Sequence, residues 1–156
     1  MQSLIFILIV ASVALNGILV GASLDQSIKQ LPARRQTSAV IYSVYSRASD
    51  LGNGIAWYVI IGIGSLLITI VTAIVAGSPE NSPPYVTLID VAVLLSILHT
   101  LSTTQAAPLM FSQRRYENDE GKLAQVFNRF ERWQTLRAVL QVLTFAALLS
   151  ALISYG

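Results

Sequence analysis

The 156-residue chain predicts an all-α membrane protein, an antiparallel four-helix transmembrane bundle. Three observations carry this: 54% of the residues are hydrophobic, only 12% are charged, and mean hydropathy is +0.63. A soluble domain carries about a quarter charged residues, so half that proportion leaves too little polar surface to cover a globule in water. Four apolar stretches, residues 3–24, 55–76, 85–111 and 133–155, each reach the roughly 20 residues that cross a bilayer core about 30 Å thick. The chain has no Cys, which removes disulfide scaffolds and thiolate metal sites. A net charge of +2 does not suggest nucleic acid.

Spans one and two contain no charged side chain, span three carries only Asp90 and His99, and span four only Arg137. No basic residue precedes span one, so it reads as a retained helix and not as a cleaved signal peptide. Span two follows a loop with an apolar stripe, Val40, Ile41, Val44 and Tyr45. The stripe reads as an interfacial helix or as an extension of span two across a bend at Gly52-Asn53-Gly54. Ser82-Pro83-Pro84 suits the start of span three, because proline is tolerated in a first helical turn. Asn118-Asp119-Glu120 places acids at a helix N-terminus, where the macrodipole favours them. From there Leu123, Val126, Phe127, Phe130 and Trp133 recur at helical spacing, so span four begins as an amphipathic helix outside the lipid.

All 10 Lys and Arg fall in or beside two connections, the one between spans one and two and the one between spans three and four. The positive-inside rule makes that side cytoplasmic, with both termini on the opposite side. No internal repeat or broken-helix pair suggests an alternating-access transporter.

Helices meet in lipid through small residues and buried polar groups. Gly17 and Gly21 form a GxxxG pair with Ala14 on the same side, span two offers Gly62 and Gly64, and span four Ala147 and Ala151. At 100° per residue, Ser96, His99, Thr103 and Ala106 share one face of span three, and Asp90 points the opposite way. Asp90 would then pair with Asn81 or Ser82, face a partner subunit, or be neutral. On span four Gln134, Arg137, Gln141 and Thr144 follow one stripe, with Trp133 at its edge. A rise of about 1.5 Å per residue puts Asn16, His99 and Gln141 each about 12 Å inward from the cytoplasmic boundary. Arg137, Trp57 and Tyr58 sit nearer that mouth.

Two readings follow. Asn16, His99 and Gln141 join helices and fix their register. Alternatively they line a pocket for a lipophilic small molecule, with His99 as a candidate base and with Asn16, Trp57, Tyr58, Thr103, Trp133, Arg137 and Gln141 as ligand-binding residues. No phosphate-binding loop, zinc motif or carboxylate cluster is present, and one histidine cannot supply two haem ligands from one chain, so no cofactor is expected. Beyond the bilayer itself, the partners to expect are a second copy or another membrane chain, in which case the protein is a non-catalytic accessory or scaffold subunit. A further reading has Arg34, Arg35, Arg114 and Arg115 bind anionic headgroups.

Thr103-Thr104-Gln105-Ala106-Ala107-Pro108 closes span three, and Phe130-Glu131-Arg132-Trp133-Gln134-Thr135-Leu136-Arg137 opens span four. In these segments, and in length and span count, the chain resembles the anthrone-oxygenase-like family of small four-helix membrane proteins, many of unknown function. It departs from the family pattern at Ala106 and Ala107, where an asparagine often precedes the proline. The resemblance implies oxidation of a polycyclic anthrone to a quinone by oxygen, without metal or flavin. It makes His99 the base that deprotonates the anthrone carbon, and has Trp133 and Arg137 shape the mouth and stabilise the phenolate.

Overall fold

A computed structural model describes residues 2–77 and 83–156, and the described chain is almost entirely helical. Helix α1 runs Gln2–Leu24, α2 Ala39–Ala48, α3 Gly54–Ala76, α4 Pro84–Ser112 and α5 Glu120–Tyr155. Four helical stretches are long and apolar enough to cross a membrane. At about 1.5 Å per residue, even 23 residues reach roughly 35 Å, more than a hydrocarbon core.

Local chemistry sets the boundaries. Beyond Leu24 the first helix continues through a π-helical turn, Asp25–Gln30, and ends in short turns before Thr37 becomes extended. Ser38 caps α2, its Oγ accepting from the Ile41 amide at 3.1 Å. Helix α2 is the extension of α3, and the two are separated by a kink at Gly52, whose φ of −90° and ψ of −119° are not helical. Ile41, Val44 and Tyr45 of its apolar stripe point outward, while Tyr42, Ser43 and Ser46 are buried. Gly77 ends α3 at φ 72°, a conformation open to glycine, and returns its amide to the Ala73 carbonyl at 3.0 Å. Pro84 occupies the first turn of α4; the Ser82 cap expected there lies outside the described residues, as does Asn81. Asp119 caps α5, as the acidic signature predicts, accepting from the Lys122 amide at 3.0 Å.

The helices form a ring in which α1 packs on α3 and α5, and α4 on α5 and, more thinly, on α3. At the end holding both termini, Ile5, Ile9, Ile89 and Ala151 form an apolar cluster, and the Tyr155 hydroxyl donates to the Gln2 carbonyl at 2.7 Å. At the other end Leu31, Tyr42, Met110, Leu123, Phe127 and Phe130 form the second. The section between is polar inside. Asn16 Nδ2 donates to the Ser12 carbonyl at 2.9 Å and to Thr69 Oγ1 at 3.2 Å, while its Oδ1 accepts from Gln141 Nε2 at 2.8 Å. One turn further along, the Ser12 and Thr72 hydroxyls meet at 2.8 Å. The outward faces are apolar, with Ile60, Ile74 and Ile153 among the most exposed side chains.

The basic end is held by ions. Glu131 accepts from Arg34 at 2.5 Å and from Arg35 at 2.6 Å, and Arg47 pairs with Glu117. Both arginines are thus paired to one carboxylate, Arg34 largely buried and Arg35 exposed. Glu120 accepts from the Ala39 and Val40 amides at 2.5 and 3.1 Å, capping α2 from the start of α5. Gln113, fully buried, accepts from Ser43 at 3.1 Å and donates to Ser46 at 3.3 Å, tying the end of α4 to α2.

Only one member of the GxxxG pair makes a close approach. A Cβ on Gly17 would lie 3.2 Å from the Phe145 ring, whereas one on Gly21, Gly62 or Gly64 would meet nothing within 4 Å.

Candidate functional site

The thin packing of α3 against α4, with glycine at position 62, leaves a cavity of about 340 Å³. Its wall is apolar on α3 (Val59, Ile63, Leu66) and on α4 (Ala107, Met110, Phe111). Its polar groups come from five places: Gln26 in the π-helical turn, Asp50 before the kink, Tyr58 on α3, His99, Thr100 and Thr103 on α4, and Arg137 on α5. An apolar chamber with a few convergent polar groups, near the lower end of the usual range of about 300–1,000 Å³, is the ordinary form of a small-molecule site.

His99 is buried, and its Nδ1 lies 3.2 Å from the Arg137 carbonyl. A carbonyl only accepts, so this contact puts a hydrogen on Nδ1; in the neutral imidazole that leaves Nε2 as an acceptor. The contact also fixes α4 against α5. The turn after His99 is held by its own hydroxyls, since Ser102 and Thr103 donate to the His99 carbonyl at 2.7 and 3.0 Å.

Arg137 donates through Nη1 to Gln134 Oε1 at 2.8 Å, and its Nε is buried without a partner. Among the described residues no carboxylate forms an ion pair with it. Gln134 in turn donates to the Ser23 carbonyl at 3.4 Å, so the guanidinium is anchored through α5 to the end of α1. Asp50 accepts from Ser46 at 3.0 Å and likewise has no cationic partner among the described residues. The cavity wall thus carries an acid and a cationic side chain that form no ion pair with each other.

The residues expected at a site separate into two groups. His99, Tyr58, Thr103 and Arg137 stand together on the cavity wall. Asn16 and Gln141 are bonded to each other deeper between α1 and α5, and neither borders the cavity. Trp57 faces outward at 42% exposure, with its ring edge-on to Tyr58 at 5.2 Å. Trp133 packs beside the cluster of Phe127 and Phe130 at the basic end. Asp90 is exposed on the outward face of α4, opposite the buried His99. Asp50 and Gln26 are cavity residues that the sequence alone did not single out. The one signal for Asp50 is an acid beside a glycine bend in a loop otherwise rich in arginine.

A second hollow, about 710 Å³, lies at the end holding the termini between Gln2, Phe6, Tyr85 and Tyr155. Although larger, it has no Asp, Glu, His, Lys or Arg among its described lining residues, whereas the smaller cavity brings Asp50, His99 and Arg137 to one wall. Among the described residues no group of His and carboxylates is arranged to hold a metal. No family model matches this chain, nor does any curated protein or solved structure.

Proposed function

We propose that the chain is a multi-pass integral membrane protein, an antiparallel four-helix bundle with basic connections in the cytoplasm, whose cavity beside His99 binds a lipophilic small molecule. The observation that carries this reading is the cavity itself: an apolar chamber between α3 and α4 with His99 and Arg137 on its wall. The membrane setting draws support from the outward apolar faces and from the polar interior at mid-height, an inversion of the soluble pattern. The antiparallel order draws support from the short contacts at both ends, Tyr155 to Gln2 at one and Glu131 to Arg34 at the other.

Native mass spectrometry of the gently purified protein tests the binding. The expected result is one retained lipophilic molecule per chain, lost when Gly62→Leu fills the cavity and weakened by His99→Ala. Retention unchanged in both well-folded variants would overturn the assignment.

The resemblance to anthrone oxygenases adds a catalytic form of the same reading, in which the free Nε2 of His99 takes the proton from the anthrone carbon. Oxygen uptake with an anthrone, abolished by His99→Gln, is the expected outcome there; absence of turnover in the wild type removes the enzyme and leaves the binding site.

The outward-facing Asp90 favours a second reading, an accessory subunit, because a carboxylate facing lipid is stabilised by a covering partner. A reproducible companion chain on purification, lost with Asp90→Leu, supports it. A lone chain counts against it.

A further inference from the structure

We infer that the polar end of this cavity is a zwitterion site, which takes an amphiphile whose head carries a phosphate followed by a primary ammonium, the phosphate on Arg137 and the ammonium at Asp50. The inference rests on the binding reading above and names its ligand class.

Two ionisable side chains, Arg137 and Asp50, line one chamber, and neither forms an ion pair among the described residues. Arg137 spends one nitrogen on Gln134 and keeps Nε buried without an acceptor. A buried donor left unmade is costly, and a guanidinium is suited to donating two parallel bonds to a phosphate or carboxylate. Asp50 has one oxygen on Ser46 and the other without a hydrogen bond from any described residue. An acid-only amphiphile would satisfy Arg137 and be repelled at Asp50; a cationic one would do the reverse. A head bearing both charges satisfies both.

The order of the charges selects among zwitterions. Leu51, next to Asp50, packs with the cluster of Met110 and Phe130, whereas Arg137 lies two turns beyond Phe130 towards the bilayer centre, about 10 Å along α5. Helical side chains lean towards their N-terminus, and the bond to Gln134 shows Arg137 reaching back about one turn, roughly 5 Å. The cation therefore lies nearer the apolar chamber and the acid lies about one turn further out. In a phospholipid the phosphate adjoins the tails and the ammonium lies beyond it on a short linker, which is the same order. A carboxylate also asks for N–H donors, which a primary ammonium has and a quaternary one lacks. Val59, Ile63 and Leu66, beside Gly62, form the apolar wall along which a chain would run.

The test offers the delipidated protein equal amounts of phosphatidylethanolamine, phosphatidylglycerol and diacylglycerol with matched chains, and reads bound species by native mass spectrometry. Charge-assisted hydrogen bonds predict a preference of roughly ten-fold for phosphatidylethanolamine over phosphatidylglycerol. Asp50→Asn should bring that ratio near unity, and Arg137→Gln should remove the advantage of phosphatidylglycerol over diacylglycerol and reduce that of phosphatidylethanolamine, with circular dichroism verifying the fold of each variant. Gly62→Leu should release all three, separating the cavity from lipid bound around the bundle. Equal retention of the three lipids by the wild type overturns the zwitterion site but leaves the cavity as a lipophilic site. So does a preference that survives both charge substitutions. Retention of none overturns both readings. Competition by dihexanoyl phosphatidylethanolamine, soluble as a monomer, supports the site for a free amphiphile; retention of long-chain lipid without such competition supports it for a bilayer lipid.

Discussion

At the scale of single residues, the interior polar groups divide into those that saturate one another and those that do not. Asn16 uses both amide hydrogens and its oxygen on Ser12, Thr69 and Gln141, so it has little left to offer a ligand. Removing one partner of the Asn16–Gln141 pair leaves the other's amide unmet in an apolar interior. Gln141→Leu should therefore cost about 1–2 kcal/mol by unfolding in mixed micelles, and Asn16→Leu a similar amount. The double variant should lose less than the sum, because the second substitution deletes a group already orphaned. The two arginines on Glu131 differ in another way: the Arg34 side chain is 8% exposed and that of Arg35 is 65%. Loss of a largely desolvated, charge-assisted bond predicts about 2 kcal/mol for Arg34→Ala, against less than about 0.5 kcal/mol for Arg35→Ala, by the same measurement.

At the scale of elements, helix existence and type were legible from apolar runs and caps, while contacts between helices were not. The bend before span two was readable because Gly-Asn-Gly interrupts a helical stripe, and the kink falls at Gly52. The GxxxG pattern misled in part. Both glycines lie on one helix face, but only Gly17 meets a bulky partner, Phe145, and nothing in the sequence says which residue of a distant helix will stand opposite. Gly17→Val should lower the thermal midpoint, because the ring must move aside, whereas Gly21→Ala should be neutral or slightly stabilising through helix propensity. Differential scanning fluorimetry of the two variants separates these outcomes. The N-cap of α5 carries a pH dependence. The Lys122 amide, and then its ammonium, hold the Asp119 carboxyl below its ordinary 3.8. A depressed carboxyl contributes stability above its unfolded value and loses it as pH falls through the folded one. The wild type should thus show an acid limb below about pH 4 that Asp119→Asn, which caps without titrating, flattens.

At the scale of the whole molecule, the candidate site was half legible. His99 and Arg137 stood out because ionisable groups are rare in apolar spans, and the face they share on adjacent helices follows from the 100° rotation. Asp50 did not, because its place on the cavity wall depends on how a kinked helix folds back beneath the bundle, which is a tertiary fact. Sidedness is the global property that the charge pattern specifies most sharply and that decides which compartment the Asp50 end of the cavity meets. The absence of any native Cys makes it measurable with single introduced thiols. Asn118 lies exposed just before the α5 cap, and Gly156 lies exposed just beyond the end of α5, so in a four-span bundle one crossing separates them. With basic connections in the cytoplasm, Gly156→Cys should react with a membrane-impermeant maleimide in intact cells, and Asn118→Cys only after permeabilisation. Gln2→Cys, on the same side as Gly156, should behave like Gly156→Cys because four crossings lie between them. The inverted pattern would put the Asp50 end outside and reverse the leaflet from which a ligand enters. Reaction of Asn118→Cys and Gly156→Cys from the same side would mean that α5 does not cross, and the four-span bundle would fall with it.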